Sequence, residues 1–160
     1  AHSTVADIRD FAELTNALNK AKPDIIIHMA AQSLVRDSYN IPSETFAANV
    51  MGTVNLLEAA RQTKSAEVIL NITSDKCYEN KEWPWPYREN DRLGGHDPYS
   101  ASKACAEIAA AAYHNSFLAE ANIYLSSVRA GNVIGGGDWA PDRLIPDFFR
   151  AVSADEILNI

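Results

Sequence analysis

Asp24-Ile25-Ile26-Ile27-His28-Met29-Ala30-Ala31-Gln32-Ser33 holds a short, nearly continuous apolar run that breaks into small and polar residues. A run of this length, rich in β-branched side chains, fits a strand buried on both faces, as in a parallel sheet. The pattern recurs twice. Glu67-Val68-Ile69-Leu70-Asn71-Ile72 runs into Thr73-Ser74-Asp75-Lys76, and Ile123-Tyr124-Leu125-Ser126-Ser127-Val128 runs into Arg129-Ala130-Gly131-Asn132. Helical periods separate these runs. Phe11, Leu14 and Leu18 share one face, as do Phe46, Val50, Val54 and Leu57. The Ala-rich stretch 98–117 has Asp97 as N-cap and Pro98 at its first position. A last helix is expected near 144–152, one more strand near Val5 and another from Ile157. Strands alternating with helices predict an α/β fold, a parallel sheet with helices on both faces.

The chain has 160 residues and a net charge of −7, which suggests one domain. Its 47% apolar and 22% charged residues exclude a disordered chain. No apolar run approaches the roughly 18 residues of a membrane span, so no membrane partner is expected. An acidic chain without basic and aromatic interleaving is poorly suited to nucleic acid. Cys77 and Cys105 form no CxxC and no zinc spacing. They read as free thiols in a reducing compartment, the cytoplasm. Cys105 is expected to pack on its helix and Cys77 to border a pocket. His2, His28, His96 and His114 show no ligand spacing, so no metal is expected, and His28 reads as a satisfied core residue.

In open parallel sheets, ligands bind beyond the carboxyl ends of the strands. The three run ends at 28–33, 73–76 and 129–137 would therefore line one rim. Tyr99 and Lys103 stand four apart, on one face of a helix. A free phenol, with a pKa of about 10, is a weak base at neutral pH, and a nearby ammonium favours the phenolate. The pair would move a proton at a substrate hydroxyl; taken alone, it fits surface decoration as well. Ser74-Asp75-Lys76 offers a hydroxyl, an acid and an amine in a row, or simply an exposed turn. Successive strand residues point to opposite faces, so Asp75 and Lys76 share a pocket only where the chain has left the sheet. Segment 79–96 has no clear period. It is a functional loop, a disordered one, or a satellite packed on its own Trp83, Trp85 and Tyr87. Gly135-Gly136-Gly137 matches no phosphate-binding fingerprint and reads as a flexible turn near substrate.

Together these residues resemble the extended short-chain dehydrogenase/reductase family of nucleotide-sugar enzymes. The resemblance rests on Asp7-Ile8-Arg9-Asp10, His28-Met29-Ala30-Ala31-Gln32-Ser33, Asn49-Val50-Met51-Gly52-Thr53 and the Tyr99/Lys103 pair. The strings 73–80, 93–100 and 131–139 are similar to those of its 4,6-dehydratases, with CDP-glucose the implied substrate. The resemblance implies a partial Rossmann-like doubly wound sheet. It implies a lyase in deoxysugar biosynthesis in which NAD takes hydride from sugar C4 and returns it to C6 after water leaves across C5 and C6. It also implies roles. Tyr99 is the base, Ser74 shares its proton and contacts substrate, and Lys103 lowers the Tyr99 pKa and holds the cofactor. Asp75 is the acid at O6, and Lys76 the base at C5. A lysine base must be neutral, which asks for burial or cationic neighbours. Asp7, Ile8, Ala30, Ala31, Gln32, Asn49, Thr73, Tyr99 and Lys103 would meet NAD, and Asn132 and Arg143 the substrate diphosphate.

The same resemblance implies a homodimer formed through the helices 46–57 and 104–112. It places residues 1–160 as the central and C-terminal part of the NAD-binding domain. A glycine fingerprint would precede Ala1 and a substrate domain would follow Ile160, so the isolated chain is expected to bind NAD weakly and to be inactive. A nucleotide-sugar 4-epimerase would use Tyr99 and Lys103 but leave Asp75 and Lys76 idle. A non-catalytic nucleotide-binding module is the remaining alternative, since fold alone does not imply activity.

Overall fold

A computed structural model describes residues 2–157. Helix α1 (Phe11–Ala21) starts where the Asp10 carboxylate accepts the Glu13 N–H at 3.0 Å, and it ends at Lys22 in the left-handed region. Strand β1 (Ile25–His28) follows, then short helices α2 (Val35–Asn40) and α3 (Pro42–Phe46). A π-turn, Ala47–Met51, feeds α4 (Gly52–Thr63), and β2 (Val68–Ser74) returns to the sheet. After a single 3-10 turn and a long loop come α5 (Pro98–Tyr113), a second π-turn (His114–Leu118), β3 (Tyr124–Ala130) and α6 (Leu144–Ala154).

The strands lie in the order β1-β2-β3 and all run parallel, with Ile25, Val68 and Tyr124 level across the sheet. Strand order that advances in one direction through right-handed crossovers puts successive helices on the same face. That face holds the core: Ile26 and Ile69 from the sheet, Leu56, Leu57 and Ala60 from α4, and Ala110 from α5. Leu14 and Leu18 of α1 pack against it from the side.

The expectation of strands buried on both faces is met on one face among the described residues. Ile26 and His28 point inward, whereas Ile25 and Ile27 are exposed at 63% and 59%. Val68, Tyr124 and Val128 lie exposed on the same open side. No strand forms near Val5, which is fully exposed. The strand expected from Ile157 runs into residues 158–160, which lie outside the described residues. Among the described residues no helix is long and apolar enough to cross a membrane.

Candidate active site

Strand β2 ends at Ser74, and the chain turns at once through Asp75–Cys77. The Ser74 hydroxyl caps this turn by accepting the Lys76 N–H at 3.2 Å. Because the pleat ends there, Ser74, Asp75 and Lys76 all line one cavity of about 990 Å³. Ser74 also donates to Asp75 Oδ1 at 3.1 Å. Asp75 and Lys76 are exposed along the cavity wall. The described residues therefore do not supply the burial that a neutral lysine would need.

Helix α5 is fixed at its first turn, as the sequence predicts. Asp97 accepts the Ser100 N–H at 2.9 Å and its hydroxyl at 2.6 Å, with Pro98 at the first helical position. Gly95 crosses the helix start so closely that a Cβ there would stand 2.2 Å from the Ala101 nitrogen. The Tyr99 N–H donates to Ser38 Oγ of α2 at 3.2 Å. Tyr99 thus reaches the same cavity as Ser74, Asp75 and Lys76. Burial pushes its phenol above the ordinary value. The Ser74 hydroxyl and Arg143 pull it down, while Asp75 and Asp97 add to the rise.

Lys103 was expected to lower that phenol. Its ammonium donates to the Ile72 carbonyl at 3.2 Å, and burial holds its own pKa below the ordinary lysine value.

Opposite this wall the cavity is lined by Gly131, Asn132, Gly135–Gly137 and Arg143. Arg143 reaches across to the Ser33 carbonyl at 3.3 Å, and Arg36 pairs with Asp142 at 2.7 Å. The stretch from Ser33 into α2 closes that side of the cavity. The sequence reading missed α2 as an element, since six residues are too few to show a helical period.

A second cavity, about 560 Å³, is lined by Asp7, Ile8, Ala30, Ala31 and Gln32. Gln32 lines this cavity and Ser33 the larger one, so the two meet along one segment of chain. Asp7 is held by Arg9, with Nη2 to Oδ2 at 2.6 Å, which lowers its carboxyl to about 2. Ala30 and Ala31 leave the backbone open to close approach.

Three predicted cofactor contacts line neither cavity: Lys103, bonded to the Ile72 carbonyl, and Asn49 and Thr73. The Asn49 side chain, buried on its π-turn, accepts the Gln32 N–H at 2.8 Å and donates to the Gln32 carbonyl at 3.0 Å and Ser102 Oγ at 2.8 Å. It locks the β1–α2 segment to α5 and lines neither cavity. The Thr73 hydroxyl donates inward to Glu107, with a longer contact of 3.3 Å to the Val128 carbonyl.

His28 is the core residue expected. Its Nε2 meets Thr53 Oγ1 at 3.0 Å, and burial followed by Lys103 lowers its pKa to about 4. Cys77 is fully buried, its thiol pushed up to about 11 chiefly by that burial, so it is not poised as a nucleophile. Both thiols are free. Cys105 corrects the reading, for it faces solvent on α5 rather than packing. Among the described residues no group of three or more His, Cys, Asp or Glu is placed to hold a metal ion.

Loop 79–96 is closed at its base by the Tyr78–Leu93 bridge and by Gly94 N–H to the Cys77 carbonyl at 2.9 Å. Tyr87 stacks on Tyr78 at 5.1 Å between centroids, and Trp83 leans on Tyr87 at 5.6 Å. Packing on its own aromatics is thus observed for Trp83 and Tyr87, whereas Trp85 is 70% exposed.

Residues 2–156 match the family described as GDP-mannose 4,6 dehydratase. The chain is 58% identical over 154 residues to CDP-glucose 4,6-dehydratase of Salmonella typhimurium, covering 93% of this chain and 43% of that protein. It is 35% identical over 125 residues to UDP-glucose 4-epimerase of Mycolicibacterium smegmatis, covering 74% and 39%. A crystal structure of a dTDP-glucose 4,6-dehydratase from Streptomyces venezuelae, with NAD and TYD bound, superposes with a TM-score of 0.83 at 29% identity over 96% of this chain and 45% of that one. The chain spans less than half the length of each of these relatives.

Proposed function

The chain belongs to the GDP-mannose 4,6 dehydratase family, and on that premise we propose that its protein is an NAD-dependent lyase converting CDP-glucose to CDP-4-keto-6-deoxyglucose. One observation carries this reading: Ser74, Asp75, Lys76 and Tyr99 converge on a single cavity. C4 oxidation alone needs only Tyr99 and a cofactor. Loss of water across C5 and C6 also needs an acid and a base, and these follow Ser74 directly.

The smaller cavity fits the cofactor's nucleotide end. Its walls combine the small Ala30 and Ala31 with the polar Gln32 and the Asp7-Arg9 turn. When bound there, NAD supplies a hydride acceptor for C4 and a donor for C6. Tyr99 takes the proton of the C4 hydroxyl, with Ser74 beside it to share that proton. The C4 carbonyl acidifies C5–H, Lys76 accepts that proton, and Asp75 protonates the leaving C6 hydroxyl. Lys76 then returns a proton to C5. The bound sugar itself would supply the cover that Lys76 needs to act as a neutral base. Asn132 and Arg143 face the substrate diphosphate. Asn49 and Thr73 act on the cofactor through the elements they tie, and Lys103, one turn beyond Tyr99 on α5, acts from its bond to the Ile72 carbonyl.

The reading places residues 1–160 within the NAD-binding domain of the protein and the protein in the cytoplasm, where free thiols persist. It also places a homodimer contact on exposed apolar side chains of two neighbouring helical segments, Phe46 and Met51 on one and Ile108 on the other. Sedimentation of the full-length protein reads that contact, with Ile108→Asp expected to give monomer.

The test is turnover. Full-length protein incubated with CDP-glucose and NAD+ should release a 4-keto-6-deoxy sugar, seen by its absorbance in alkali. CDP-galactose without that product would move the assignment to a 4-epimerase.

A further inference from the structure

Of the ion pairs among the described residues, the most deeply buried joins Arg129 to Glu107. Their side chains are 18% and 7% exposed, and Nη2 stands 2.9 Å from Oε2. Neither residue lines either cavity. Their surroundings nonetheless tie together α5, β2 and β3 behind the Ser74–Tyr99 side of the site.

Glu107 lies on α5 one turn beyond Lys103 and about two beyond Tyr99, on the same face. Its other oxygen accepts the Thr73 hydroxyl. Thr73 and Arg129 are direct partners across β2 and β3. Each stands just before the point where its strand opens into the site, Ser74 on β2 and Gly131 beyond β3. One carboxylate therefore bridges α5, β2 and β3 directly beneath the cavity. Arg129 extends the link outward. Its Nη1 donates to the Glu89 carbonyl at 2.8 Å, and its guanidinium lies 4.8 Å over the Tyr78 ring, which stacks on Tyr87. Loop 79–96 is pinned to the same group.

A buried ion pair is a poor device for stability, since desolvation offsets its Coulombic gain and apolar replacements serve as well. What the pair gives is direction. Glu107 divides its two oxygens between Thr73 and Arg129, and Arg129 divides Nη2 and Nη1 between Glu107 and the Glu89 carbonyl, so each charge-assisted bond fixes a different neighbour. We propose that the Glu107–Arg129 pair is a positioning device that sets α5 against the end of β2 and so holds Tyr99 beside Ser74. This deepens the reading above by naming what aligns its proton-transfer contact, and it rests on that reading for the reaction alone.

Full-length protein carrying 13Cζ-tyrosine provides the test, with Tyr99 assigned by Tyr99→Phe. The Tyr99 phenol is titrated in the wild type and in Glu107→Gln, Arg129→Lys and Thr73→Val. The groups acting on that phenol are Ser74, Arg143, Asp75 and Asp97; Ser74 and Asp75 both stand at the end of β2 that the clamp holds, and of these two Ser74 acts more strongly. In the variants the phenol is expected to titrate about one unit higher as the Ser74 hydroxyl draws away. The rate kcat is expected to fall by about 10- to 100-fold, with KM within about twofold. Should Glu107→Gln not fold, Thr73→Val decides, because it removes one hydroxyl and leaves the ion pair intact. Folded variants with an unmoved Tyr99 titration and unchanged kcat would overturn the proposal. A wild type without dehydratase turnover would overturn the function while the titration still judged the clamp.

Discussion

The two walls of the larger cavity are built on opposite principles. On one side, α5 is held by three devices: the Asp97 cap at its start, the Asn49 bridge from Ser102 to the β1–α2 segment, and the Glu107 link to Thr73 and Arg129 of the sheet. Gly95 lies against the start of α5 behind this wall and has no room for a Cβ. On the other side, Gly135, Gly136 and Gly137 would each meet nothing within 4 Å if a Cβ were added, and Val133, Ile134 and Trp139 are exposed. The groups proposed to move protons stand on the fixed wall. The wall expected to receive the variable part of a substrate is the open one. Reaction geometry asks for tight placement, whereas a substrate-facing loop gains from freedom to adapt.

Substitutions can break or sharpen this contrast. Tyr99→Phe removes the proposed base and should lower kcat by about 10³-fold without unfolding the protein, read by steady-state assay and circular dichroism. Lys76→Ala should cost about 10²-fold in product release. Gly95→Ala forces the loop away from the start of α5. It should cost about 1–3 kcal/mol of stability in denaturant titration and reduce kcat along with it. Gly136→Ala, on the open wall, should stay within about 0.5 kcal/mol of the wild type. An equal loss from the two glycine changes would erase the distinction between the walls.

A pH test addresses the buried side. The His28 pKa is lowered from its unfolded value of 6.5 to about 4. Its contribution is complete above the unfolded value, where the ring is neutral in both states. It is lost as pH falls toward the folded value, because the unfolded chain takes up the proton first. Stability should therefore decline between pH 6.5 and 4 by up to about 3 kcal/mol. His28→Gln should flatten that decline in thermal melts.

The sheet was legible because its three apolar runs are short, β-branched and bounded by small or polar residues. The Asp97-Pro98 start of α5 was legible for a similarly local reason. Other features depend on contacts distant in sequence. The Asn49 clamp needs a π-turn that no period announces, and Glu107 finds Thr73 and Arg129 only once the sheet has formed. Cys105 was misplaced because an Ala-rich helix shows too weak an apolar stripe to say which face turns inward. Tyr99 and Lys103 were visible as a pair, but the path from Lys103 to the Ile72 carbonyl was not.

Turnover of CDP-glucose by the full-length protein in D2O tests the central claim most directly. If Asp75 and Lys76 eliminate water across C5 and C6, the product should carry solvent deuterium at C5, since the Lys76 ammonium that returns the proton exchanges with solvent, and Lys76→Ala should form that product about 10²-fold more slowly. Product protonated at C5, or recovery of only the C4 epimer without deuterium, would contradict the account.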